Sequence, residues 1–265
     1  MSTQTGADLK TANRNGINLR YLDTGSGDPT LVFIHGWCCN QSMWSDQIEA
    51  FAPNHRIIAV DLRGHGESDK PDQDYDIAGF ANDMAWLIRE IGLDRPVIIG
   101  HSMGGVTTLN LLREHPDIAR AAVFVDAGIL PVPEEVRPLI GQTIEALKSP
   151  SYREVATNVV KQFLFRPESP PEIRDGAAAT MATAPQRLMH TALASTMSEE
   201  NYPPGPVPVP SLFVKAATLQ ATEEQINERY PGMEVVSVDA GHFIQLEKPE
   251  ELNVHISRFL EEKVS

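Results

Sequence analysis

Short apolar runs alternate with amphipathic stretches along this chain. TLVFIHG (30–36), RIIAVD (56–61), PVIIG (96–100), AAVFVD (121–126) and PSLFVK (210–215) are brief and rich in β-branched residues. That pattern predicts strands buried on both faces. EVVSVD (234–239) adds a strand near the end. GINLRYLDTG (16–25) alternates polar with apolar and runs into a Gly/Ser/Asp/Pro cluster, which predicts an antiparallel strand or hairpin. Helices are expected between the strands, over 43–51, 106–116, 222–230 and 249–260. In YDIAGFANDMAWLIREIGL (75–93), Ile77, Phe80, Met84, Leu87, Ile88 and Ile91 share one helical face. The alternation implies an α/β fold: a mostly parallel central sheet flanked by helices. The rhythm breaks over 129–210, which holds helical stretches and many prolines but no convincing buried strand. The expected organisation is therefore a core formed by 1–128 and 211–265, with 129–210 inserted between two core strands as a helical lid or cap.

Composition narrows the class. A chain of 265 residues with 42% hydrophobic and 22% charged residues has ample material for a core. The formal charge of −14 disfavours nucleic acid and anionic membranes. The two cysteines, Cys38 and Cys39, are adjacent and offer no disulfide framework, and no Cys/His ligand spacing implies a metal. The first residues, MSTQTGADLK, lack a basic-then-apolar signal pattern, and no apolar run approaches the roughly 20 residues that cross a bilayer. A reduced cytoplasmic protein is expected.

The chemistry concentrates at GHSMGG (100–105), where a buried strand gives way to a helix. Glycine is costly in a helix, by about 1 kcal/mol relative to alanine, so its recurrence here needs a reason. Gly100-His101-Ser102-Met103-Gly104 fits G-x-S-x-G, in which a serine is presented on a strained strand-to-helix turn and its second neighbours must be small. Here the chain resembles the α/β-hydrolase family over nearly its whole length. FIHGW (33–37) is similar to the family's His-Gly oxyanion loop and DLRGHGESD (61–69) to the turn after the next strand. DAGHFIQLEKPEEL (239–252) is similar to the C-terminal histidine region.

The resemblance implies Ser102 as nucleophile, His242 as general base, and the backbone N–H groups of Trp37 and Met103 as an oxyanion hole. Gly36, Cys38 and His101 are the candidate substrate contacts. The acid departs from the commonest family pattern. After PSLFVK the chain reads KAATLQATEEQ (215–225), with no carboxylate at the usual place. Asp126, ending AAVFVD, is the preferred acid, as in family members that carry it after the strand following the nucleophile helix. Glu223 and Glu224 are the alternatives. This set implies a serine hydrolase of carboxylic esters or lactones, with a small-molecule substrate, no cofactor and no metal; a homodimer is left open. Two other family functions compete: a cofactor-free dioxygenase, similar at GWCCN (36–40) but with Cys39 where those enzymes carry a substrate-binding histidine, and a slow or non-catalytic ligand receptor. In the lid, Tyr152, Phe163, Phe165, Met181, Met189 and Met197 supply apolar material.

Overall fold

The computed structural model describes residues 9–219 and 221–264. The opening octapeptide, on which part of the signal-peptide reading rests, lies outside the described residues, as does Gln220 in the stretch where the family's usual acid would fall.

Eight strands form one sheet: β1 (Lys10–Arg14), β2 (Ile17–Thr24), β3 (Leu31–Ile34), β4 (Ile57–Asp61), β5 (Val97–His101), β6 (Ala121–Val125), β7 (Ser211–Ala216) and β8 (Glu234–Val238). Their spatial order is β1-β2-β4-β3-β5-β6-β7-β8. From β4 to β8 every neighbouring pair is parallel, and β2 joins both β1 and β4 antiparallel. The expected strands are all present; β1, the partner that completes the hairpin, was only half visible as a pattern.

The central strands bury both faces, and their side chains sort by the period of two. Val32 and Ile34 join Ile98, Ala122 and Phe124 on one face, while Leu31 and Phe33 join Val97, Ile99, Val123 and Val125 on the other. The first face packs against α2 (Ile77–Glu90) and α3 (Met103–Glu114), and the second against α1 (Ser45–Phe51) and α10 (Pro249–Lys263). Helix α2 starts where Asp76 caps the Gly79 N–H at 2.6 Å and buries Ile77, Phe80, Met84, Leu87 and Ile88, the stripe expected from the sequence.

The stretch from 129 to 210 is helical. It carries α4 (Arg137–Leu147), α5 (Tyr152–Val159), a π-helical turn over Val160–Leu164, α6 (Pro171–Met181) and α7 (Gln186–Thr196). Its apolar residues, Leu147, Ala156, Val160, Met181 and Leu188 among them, extend the core on the α2/α3 face. After it come α8 (Glu223–Arg229), opened by a capping box between Thr222 and Gln225, and the short α9 (Ile244–Glu247). Among the described residues no helix is long and apolar enough to cross a membrane.

One ion-pair cluster ties the hairpin, a loop and a helix together. Asp83 on α2 is buried and accepts from Arg14 at 2.5 Å, from Arg63 Nε at 2.8 Å and from the other arm of the same guanidinium. Removing the carboxylate leaves two cations facing a pocket that is only partly wetted. Breaking fully buried pairs costs about 3–5 kcal/mol; both guanidiniums here reach some water, so Asp83→Ala is expected to lower the unfolding free energy by about 2 kcal/mol. Urea denaturation checks it against Glu145→Ala, whose exposed pair with Lys148 should matter little.

Candidate active site

The functional side chains gather at the carboxyl ends of the parallel strands. From β3 the chain moves to β4 on one side, whereas from β5 it moves to β6 on the other, so the loops after β3 and β5 diverge and leave a crevice between them. Gly36 and Trp37 follow β3, Ser102 follows β5, Asp126 follows β6 and His242 follows β8.

Ser102 has φ 52° and ψ −118°, a left-handed conformation that costs a non-glycine residue of order 1–3 kcal/mol. Its neighbours make the turn feasible. A Cβ on Gly104 would lie 2.3 Å from the Ile34 carbonyl oxygen, and one on Gly100 would lie 2.5 Å from that of Gly104. Only hydrogen fits at either position. Met103 is the first residue of α3, so its N–H has no carbonyl within the helix to bind and sits at the positive end of the helix dipole.

His242 Nδ1 lies 2.7 Å from Asp126 Oδ2. The carboxylate can only accept, so the proton rests on Nδ1 and the other ring nitrogen is free as a base. The second oxygen, Asp126 Oδ1, accepts from the Ala216 N–H at 2.8 Å, and Asp126 itself is 8% exposed. Glu223 and Glu224 are exposed in the first turn of α8, and the carboxylate paired with the imidazole is that of Asp126. The loop carrying His242 is held from two sides. His101 Nε2 donates to the His242 carbonyl at 3.0 Å, and the His242 N–H donates to Leu164 O at 3.1 Å. No hydrogen bond joins the Ser102 hydroxyl to the imidazole among the described residues; in unliganded sites that bond is often long and tightens around substrate.

Both side chains face one cavity of about 300 Å³. Its walls come from the core (Trp37, Cys39, Ser102, Phe243) and from the helical insertion (Leu139, Ile140, Phe163, Met181, Leu193, Met197). Of the substrate-contact candidates, His101 is on this wall, but Gly36 and Cys38 are not. Gly36 is instead spent on close packing, since a Cβ there would meet Ser102 Cβ at 3.2 Å. Cys38, at φ 56°, is buried in the core off the cavity, and its neighbour Cys39 is the cysteine on the wall. Of the apolar residues singled out in the insertion, Phe163, Met181 and Met197 reach the cavity; Phe165 instead stacks on Phe243 with ring centroids 4.9 Å apart, and Met189 is buried, its carbonyl accepting from Trp37 Nε1 at 2.9 Å. The sequence reading placed Cys39 at a family substrate-binding position without making it a candidate contact, and did not name Phe243 or the α4 residues. Adjacency to Cys38 and His242, and the amphipathic pattern of 136–144, were the available signals.

His35, His65 and His101 are buried, and burial disfavours their charged forms. Desolvation lowers His35 from the ordinary 6.5, and pushes His65 and His101 well below it; charge on neighbouring imidazoles adds to the last two. Their bonds agree: His35 Nδ1 donates to Gly36 O at 2.8 Å while its Nε2 accepts the Leu62 N–H at 3.1 Å. Burial likewise pushes the Cys39 thiol up to about 12 and Cys38 upward, so neither is a thiolate near neutrality. Among the described residues no group of three or more His, Cys, Asp or Glu side chains is arranged to hold a metal ion.

A serine at the nucleophile position of a strand-to-helix elbow, above a mostly parallel sheet and beside a carboxylate-bound imidazole, places the chain in a recognisable class of α/β proteins. The alpha/beta hydrolase family model matches residues 31–254, and the chain belongs to that family. Over 110 residues it is 34% identical to the 2-(acetamidomethylene)succinate hydrolase of Mesorhizobium japonicum, a stretch covering 42% of this chain and 39% of that protein. It is 35% identical over 112 residues to the soluble epoxide hydrolase of a Corynebacterium species, covering 42% of this chain and 39% of that one. The match thus spans about two-fifths of these curated relatives. A thermophilic esterase from Thermogutta terrifontis, solved with malate bound, superposes with a TM-score of 0.82 at 24% identity over 96% of this chain and 97% of that one, a likeness of fold.

These buried histidines set a pH dependence. Their folded pKa values lie below the unfolded 6.5, so as pH falls through that value the unfolded chain takes up protons that the folded one refuses. Stability is full above about pH 6.5 and falls on acidification, with a limiting slope of at most about 1.4 kcal/mol per pH unit for each of His65 and His101, the two pushed well below 6.5, and a smaller loss from His35. Chemical denaturation at pH 7.5, 6.5 and 5.5 should show this loss over the last step; equal stability at 6.5 and 5.5 would contradict it.

Proposed function

We propose that this protein hydrolyses a carboxylic ester or lactone through an acyl-enzyme on Ser102. The observation that carries the reading is the strained Ser102 facing the same cavity as an imidazole whose Nδ1 is bound to Asp126. In this mechanism Ser102 Oγ attacks the substrate carbonyl and its proton passes to His242 Nε2. Asp126 fixes the tautomer and stabilises the imidazolium. The N–H groups of Met103 and Trp37 receive the oxyanion. Collapse expels the alcohol, which takes the proton from His242. Water, deprotonated by the same imidazole, then releases the acid. The stretch 129–210 acts as a lid, because it supplies much of the cavity wall.

Carbonyl chemistry is favoured over attack at an alkyl carbon, the route an epoxide needs. Serine opening an epoxide would form an ether, which has no carbonyl through which water could release it. With an ester the intermediate is itself an ester and turns over.

The test is hydrolysis of p-nitrophenyl butyrate by the wild type, Ser102→Ala and Asp126→Asn. Ser102→Ala is expected to abolish turnover. Asp126→Asn should lower kcat by about 10³–10⁴-fold, by analogy with the loss on the same change in serine proteases. Unchanged turnover in Ser102→Ala would overturn the mechanism, and a mild Asp126→Asn with a severe Glu223→Gln or Glu224→Gln would move the acid. Tight ligand binding or oxygen uptake without ester turnover would point to the receptor or the dioxygenase instead.

A further inference from the structure

Resting on the serine-hydrolase reading, we infer that the substrate is uncharged around its reacting carbonyl and carries an apolar chain longer than the cavity, whose end lies on a rim formed by Val136, Leu139 and Phe163. Three observations meet here.

First, no Asp, Glu, Lys or Arg stands on the cavity wall among the described residues. The Trp37 indole N–H and the Cys39 thiol on this wall already donate, to Met189 O at 2.9 Å and to Trp37 O at 3.4 Å, and the polar groups beyond these, Ser102 and the two histidines are Thr143 and Thr196. Both hydroxyls already donate within their own helices, to Leu139 O at 2.9 Å and Ala192 O at 2.7 Å. The far wall therefore has no side-chain donor left for a carboxylate. An anion brought there would shed its water and gain nothing.

Second, the insertion's cations are already occupied. Arg137 pairs with Glu199, Lys161 with Asp175 at 2.9 Å, and Arg166 with Asp239 at 2.5 Å. Lys148, Arg174 and Arg187 pair with carboxylates too, and Arg153 lies over the Tyr152 ring. The net charge of −14 adds a general repulsion. This sets the chain apart from its relative named for a succinate, a dicarboxylate.

Third, the apolar lining continues onto the surface. Val136, Leu139 and Phe163 are 38%, 45% and 59% exposed, and all three also line the cavity. Val254 is the one other large exposed hydrophobic among the described residues. Exposed apolar side chains clustered at the mouth of an apolar cavity mark where a ligand emerges. At about 300 Å³ the cavity is at the small end of ligand sites, so a long chain must run out over that rim.

The experiment compares two p-nitrophenyl esters of the same shape. The 4-methylpentanoate ends in an isopropyl group where the hydrogen succinate ends in a carboxylate. The wild type should prefer the apolar ester in kcat/KM by at least 100-fold, and should prefer the octanoate over the acetate. In Leu139→Ser/Phe163→Ser the octanoate-to-acetate ratio should fall at least tenfold, while Phe163→Leu, which stays apolar, should keep it. Circular dichroism shows whether the double variant folds; should it not, Phe163→Ser alone is compared with Phe163→Leu. Equal turnover of the succinate and methylpentanoate esters would overturn the charge argument, and an unmoved ratio would overturn the rim. Either result, with Ser102→Ala inactive, leaves the hydrolase mechanism standing. A wild type inert towards every ester defeats that mechanism and this inference together.

Discussion

The site depends on one backbone conformation, the left-handed turn at Ser102. Nothing local favours it: serine has a Cβ, and φ 52° with ψ −118° is a costly place for it. The turn holds because β5 and α3 are fixed on either side by packing that leaves no alternative. The Ser102 N–H donates to Val125 O, and α3 lies so close to β3 that a Cβ on Gly104 would meet the Ile34 carbonyl. Cys38 and Asp126 also have positive φ, at 56° and 39°, so the loops after β3, β5 and β6 all carry a strained non-glycine residue. Three neighbouring strand ends bent the same costly way are a stored cost that core packing offsets. Each bend aims a group at the crevice or clears one from it.

The electrostatics follow from that close packing. Around the imidazole the protein places one buried carboxylate and a neutral ring. His101 packs its ring 4.7 Å from that of His242, where a second positive charge would repel the imidazolium that the proposed mechanism forms. Burial keeps His101 well below its ordinary pKa, and its Nε2 proton goes to the His242 backbone instead. The same desolvation that disfavours charge on His101 strengthens the His242–Asp126 bond from the carboxylate's side, because Asp126 is buried while the imidazole keeps an exposed edge.

Much of the fold was legible because buried parallel strands announce themselves as short β-branched runs and because α2 keeps a strict apolar stripe. The elbow was legible because close approach demands glycine at fixed offsets. Asp126 could be singled out because no carboxylate stands at the usual place after PSLFVK and because the chain resembles family members that carry the acid after the strand following the nucleophile helix; its contact with His242 spans 116 residues of sequence and no local pattern encodes it. Cys39, not Cys38, is the cysteine on the cavity wall although both are buried, and a pair of adjacent cysteines gives no hint of which will line it. The π-helical turn at Val160–Leu164 was equally hidden, because an inserted residue in a helix is a response to tertiary contacts.

That turn has a consequence for how the two parts of the molecule depend on each other. It ends where Leu164 O accepts the His242 N–H, and just beyond it Arg166 pairs with Asp239 and Phe165 stacks on Phe243. The segment that shapes the cavity wall thus also grips the loop that carries the imidazole, from residues on both sides of it. The insertion and the His242 loop are then not independent modules. A change that swings the helices outward to admit a bulkier substrate pulls on the His242 backbone, and the 2.7 Å bond to Asp126 resists, because Asp126 is in turn fixed to the Ala216 N–H at the end of β7. The route of least resistance for widening the site is therefore α4 and the rim residue Phe163, whose side chain is already exposed. The insertion's grip on the His242 loop leaves the α4 side as the wall of the cavity least tied to the imidazole.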